Sequence, residues 1–92
     1  MEAHYYRDPD SGLPHIYGHG IKEHEVEEVL RNQGDDMPGN ENSRIKLGQT
    51  DAGRYLQVIY SPDEEGDGVF IITAYEPSEK TKRAYRRRRK RR

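Results

Sequence analysis

Cysteine and tryptophan are absent from this chain of 92 residues, phenylalanine occurs once, and there is no long apolar run. Without cysteine there is neither a disulfide framework nor a thiolate metal site, and no feature calls for an oxidising compartment. A membrane helix needs about 20 apolar residues in a row, which no segment supplies. The opening MEAHYYRDPD lacks the apolar core of a signal peptide, so a cytoplasmic protein without a membrane partner is expected. Hydrophobic residues make up 30% of the chain and charged residues 36%, close to the balance of disordered sequences. The apolar residues are clustered, however, and the length suits one domain over 1–92 with a single modest core.

Acidic residues are also missing from one region, the stretch after Glu79. Residues 80–92 hold ten of the 16 basic residues and none of the 17 acidic ones, a net of +10, and the remaining six basic residues leave residues 1–79 at −11. Such segregation suits a tail that meets polyanions while the body repels them. It also suits a tail that folds onto an acidic body, either its own or that of a second copy in a homo-oligomer.

Periodicity supplies the framework. AHYY reads as a short opening strand, RDPDSGLP as a loop, and PHIYGHG as one helical turn closed by Gly20 in a left-handed cap. Residues 22–33 read as a helix, with Val26, Val29 and Leu30 as its buried stripe and acidic residues outside. Lys22 is a poor N-cap, so its first turn is expected to fray. GDDMPGNEN shows no periodicity and reads as a loop. Residues 43–48, 53–61 and 68–75 read as three strands of an antiparallel meander, the third central and covered on both faces. Ser78 caps a final helix that starts at Glu79.

From Arg86 onward nearly every residue of that helix is cationic, and like charges one turn apart repel. Residues 86–92 are therefore expected to form a frayed basic tail that orders on a polyanion. Lys80, Lys82, Arg86, Arg87, Arg88, Arg89 and Lys90 are the candidate nucleic-acid contacts. His15 and His19 have the spacing of a metal pair, with His24 close in sequence, but no fixed third ligand accompanies them, so no metal site is expected. Arg44 suits either an ion pair across the sheet or a phosphate contact. Tyr55, Tyr60 and Tyr85 read as edges of the core rather than stacking platforms.

PHIYGHGIKEHEVEEVL, SRIKLGQTDAGRYLQVIY and VFIITAYEPSEKTKRAYRR resemble, in this order and spacing, the BrnT-type toxins of the RelE-like group of small bacterial ribonucleases. The resemblance implies an α+β fold, with a small antiparallel sheet of three to four strands, an N-terminal helix and a basic C-terminal helix. It implies metal-independent endoribonuclease activity without a cofactor, on RNA that includes ribosome-associated mRNA, restrained by a cognate antitoxin protein. By the same resemblance His19 exchanges the proton, Arg44 holds the phosphate, and Tyr75, Arg83 and Tyr85 complete the site. Gly18 stands where the family carries a lysine, and Tyr75 where it carries an arginine. The alternative is a non-catalytic module of the same fold that binds nucleic acid, or assembles, through its basic helix.

Overall fold

The structure, a computed structural model, describes residues 2–63 and 66–90. Five strands form one sheet: β1 (Ala3–Tyr5), β2 (Gly34–Pro38), β3 (Arg44–Gln49), β4 (Tyr55–Pro62) and β5 (Val69–Tyr75). Two helices accompany it, α1 (Glu23–Arg31) and α2 (Glu79–Lys90), with a 3-10 turn at His15–His19. The spatial order is β1-β5-β4-β3-β2. No helix among the described residues is long and apolar enough to cross a membrane.

The three strands expected from alternation are present, and β3, β4 and β5 pair antiparallel. The sheet as a whole is not a three- to four-stranded antiparallel meander. It is mixed, because β1 runs parallel to β5, with Ala3 opposite Val69 and Tyr5 opposite Ile71. The apparent loop after α1 begins with a fifth strand, β2, antiparallel to β3. Its sequence hides it, since an edge strand needs no apolar face and tolerates charge and proline. Gly34 is required there, because a Cβ would lie 2.4 Å from the Leu47 carbonyl oxygen.

Cross-strand pairing divides the sheet into two faces. Leu56, Val58, Tyr60, Ile71 and Ala74 lie on one and pack with Val26 and Val29 of α1, with Ile16 of the 3-10 turn and with Ile21 just after it. This is the core, and burial of this kind supplies the main driving force for folding. Tyr5 ties β1 to it by donating its hydroxyl to the Glu27 carboxylate at 2.9 Å, and burial, reinforced by that carboxylate, raises the Tyr5 pKa. The first turn of α1 is held rather than frayed, because Glu25 accepts the Lys22 backbone N–H at 3.0 Å. That bond is also the first cause of the lowered Glu25 pKa. Gly20 closes the 3-10 turn at φ 71°, the left-handed region that glycine enters without strain.

Lys46 projects from β3 toward the end of α1, where its Nζ donates to the carbonyls of Leu30 (3.3 Å) and Asn32 (2.8 Å). A cation at a helix C-terminus satisfies free carbonyls and complements the dipole. Lys46 is 8% exposed, so Lys46→Met leaves two acceptors facing a dry methyl group. A loss of about 2–3 kcal/mol is expected in denaturant unfolding. An unchanged midpoint would show that water replaces the ammonium.

Candidate nucleic-acid interface

The helix α2 starts where Pro77 and Ser78 place it. Ser78 Oγ accepts the Thr81 backbone N–H at 3.2 Å, and the Ser78 carbonyl receives that of Lys82 at 2.9 Å. The helix then runs to Lys90. Arg91 and Arg92, the end of the expected tail, lie outside the described residues.

Inward anchors counter the self-repulsion. Tyr85, 3% exposed, meets the Tyr55 ring edge-on with centroids 6.0 Å apart. Lys82 and Arg86 sit over the Tyr55 ring at 5.9 and 5.7 Å, and Arg89 over that of Tyr85 at 5.5 Å. Contacts of this type contribute about 0.5–1 kcal/mol each where exposed. Arg88 bonds Asp35 through Nε at 2.9 Å, and Arg89 donates to Gln33 at 3.0 Å. α2 thus docks on the sheet face opposite α1, because Tyr55 and Asp35 both point there by register.

These anchors divide the cations of the helix. Lys82 pairs with Glu79, while Arg88 and Arg89 face Asp35. Arg83, Arg86, Arg87 and Lys90 recur at i, i+3, i+4 and i+7, so they form one stripe along α2. They line a shallow groove, and among the described residues none of the four has a carboxylate partner, nor does Lys80. A row of unneutralised guanidinium and ammonium groups on a docked helix suits a phosphate chain.

The other candidate residues are dispersed. His19 ends the 3-10 turn on the α1 side. Its Nε2 lies 3.3 Å from Nε2 of His15, whose Nδ1 is 2.7 Å from Asp8. With Asp8 holding a proton on His15 Nδ1, His15 Nε2 accepts from His19 Nε2–H, and His19 Nδ1 keeps a free lone pair. Arg44 opens β3 and donates Nε to Asp36 at 2.8 Å, an ion pair across the sheet. Asp36 raises the Arg44 pKa and also accepts the Tyr60 hydroxyl, whose pKa burial and this carboxylate push up to about 12.

His19 and Arg44 lie near opposite ends of β4. The carbonyl of Gly20 receives Arg54 Nη1 at 3.1 Å just before β4 begins, whereas Arg44 pairs with Tyr60 five residues further along, on the order of 17 Å away. Arg54 also grips Glu25 and Glu76, which fixes the turn beside the start of β4. Tyr75, Arg83 and Tyr85 belong to the opposite side of the sheet, with Tyr75 on the surface and Tyr85 buried. The structure therefore does not gather the five residues into one site, and it places Tyr85 in a packing role. Among the described residues no group of three or more His, Asp or Glu side chains is placed to hold a metal ion.

Two features of the structure have no counterpart in the sequence pattern. The link from Asp8 to His15 crosses a loop without periodicity. Phe70 and Ile72 are exposed although the run VFIITA reads as covered on both faces; the only hint in the sequence is that a seven-residue strand held between short links can be apolar for more than one reason.

No curated protein and no solved structure matches the chain. A protein family matches residues 18–76, from the end of the 3-10 turn through β5, and leaves α2 outside the matched span. Over more than half of its length, then, the chain belongs to the family described as Domain of unknown function (DUF4258).

Proposed function

We propose that the protein is a non-catalytic nucleic-acid-binding module whose outward α2 stripe grips the phosphate backbone. The supporting observation is the division of cations on that helix: Lys82, Arg88 and Arg89 hold it in place, whereas Arg83, Arg87 and Lys90, together with Arg86, which also rests over the Tyr55 ring, have no carboxylate partner among the described residues. Folding of the tail onto its own acidic body accounts for the first group alone. Phosphate contacts carry affinity without sequence preference. Four such contacts with a single strand give a slope of log K against log salt of about −2.8. Fluorescence anisotropy of a labelled oligonucleotide over a salt series measures it, and a flat line, or no binding at low salt, would overturn the reading.

A second reading is a ribonuclease toxin of BrnT type held by an antitoxin. It draws on the resemblance and on one specific observation, the chain from Asp8 through His15 to His19, which orients an exposed imidazole at the His-Gly motif. The dispersal of Arg44, Tyr75 and Arg83 weighs against it. The binding-module reading predicts identical bacterial growth when the chain and its His19→Ala variant are expressed. Arrest by the chain that His19→Ala relieves would move the assignment to the nuclease.

A further inference from the structure

Outside the footprint of α2, the sheet face that carries this helix leaves large side chains exposed among polar ones. Phe70 is 41% exposed, Tyr75 37% and Met37 39%, beside His4, Gln57, Ser61 and Thr73 of the same face. In a regular strand Phe70 and Tyr75, five residues apart, would point to opposite faces. A bulge changes that parity: Ile59 pairs with Thr73 and Tyr60 with Ile71, which leaves Ile72 without a partner on β4. Phe70 therefore stands opposite Ser61, and Tyr75 opposite Gln57. Ser61 and Gln57 share a face of β4, so the two aromatic rings share it too, on the order of 13 Å apart along the strand.

The charge on this face also differs from that of the body. By register, Asp35 is the one carboxylate that the described strands present there, and Arg88 binds it, while Glu2, paired with His4 beside Phe70, and Asp63 lie at the Phe70 edge. The acidic residues of α1 lie on the far side. A negatively charged ligand on this face thus meets the cations of α2 without facing the acidic helix.

We propose that this face is a stacking platform for single-stranded nucleic acid, with one base on Phe70, another on Tyr75, and the connecting phosphates directed to α2. The inference rests on the phosphate-binding reading of α2 and adds to it the strandedness of the ligand and the residues that receive its bases. A duplex keeps its bases stacked internally and offers the rings nothing, whereas a single strand can splay them. Stacking tolerates any base, in keeping with cations that read none.

The experiment compares the full chain with Phe70→Leu, Tyr75→Leu and the double variant against an oligouridylate of about 12 nucleotides, the corresponding oligothymidylate and a duplex of equal length. Leucine keeps apolar bulk and removes the π face, and thermal melts confirm that each variant folds. Each single change should weaken single-strand binding about tenfold at an unchanged salt slope, while duplex binding stays the same. Single-strand affinity unchanged in the double variant would overturn the platform. If α2 variants still lose binding in that case, the phosphate-binding reading survives; if the unaltered chain binds none of the three probes, both fall. Self-association of the chain that Phe70→Leu abolishes would assign the patch to a protein contact and likewise overturn the platform. The oligouridylate and oligothymidylate arms show whether the ribose hydroxyl contributes.

Discussion

Replacing Arg83, Arg86, Arg87 and Lys90 together with glutamine lowers affinity for a single-stranded oligonucleotide about a thousandfold at about 50 mM salt. The magnitude follows from counterion release. With four phosphates no longer neutralised, a slope of about −2.8 disappears, and that slope extends over more than one decade between about 50 mM and the molar reference state. The variant therefore becomes nearly insensitive to salt as well as weak. Stability is set by two opposing changes: Arg86 gives up its place over the Tyr55 ring, about 0.5–1 kcal/mol, while like-charge repulsion falls. Arg83 and Arg87, like Arg86 and Lys90, are like charges at i, i+4, and removing each such pair relieves a few tenths of a kcal/mol. Glutamine is also a good helix former. A melting temperature that holds within a few degrees while binding collapses is the signature of cations kept for function rather than for stability. Arg88→Gln serves as the contrast. It releases α2 from Asp35, so it should loosen the helix and leave most of the salt slope intact.

Leu56→Ala lowers unfolding free energy by about 2–5 kcal/mol, a large share of the roughly 5–15 kcal/mol available to a domain. Leu56 is fully buried in the cluster that joins α1, the 3-10 turn and three core positions of β4. Small domains lose about 4–8 °C of melting temperature per kcal/mol, so the transition should fall by about 8 °C or more. With so few hydrophobic residues, no second core is available to compensate. A loss below about 1 kcal/mol would mean that the site collapses freely and that the sheet is not packed as described. The exposed Phe70 and Tyr75, replaced by leucine, provide the control with little change.

Elements carried by local pattern were legible in the sequence. Alternation in residues 55–60 located β4 and its inward Leu56, Val58 and Tyr60, and the i, i+3 spacing of Val26 and Val29 located the buried face of α1. Ser78 marked the start of α2. Elements stabilised from a distance were not. β2 carries carboxylates whose partners are remote in the chain, Asp35 with Arg88 and Asp36 with Arg44 and Tyr60. The helix past Tyr85 meets the same carboxylate through Arg88, a contact that the basic run alone does not reveal. The bulge at Ile72 left no signature, and without it the run VFIITA appears doubly covered. For the candidate site, the basic stripe was visible as composition, but its division into docked and outward cations needed the sheet beneath it. The pairing of Arg44 was foreseen as one of two options, and its distance from His19 could not be, because that depends on which end of β4 each residue meets.

Everything proposed for this protein depends on sidedness: the proposal has phosphate and bases meeting the α2 side of the sheet and leaving the α1 side untouched. Amide chemical-shift mapping of the labelled chain during titration with the oligouridylate tests it directly. The expected result is a continuous set of shifted resonances on the outward stripe of α2 and on β5 between Phe70 and Tyr75, with α1 unchanged. Shifts centred on His15 and His19, or on the acidic surface of α1, would contradict it.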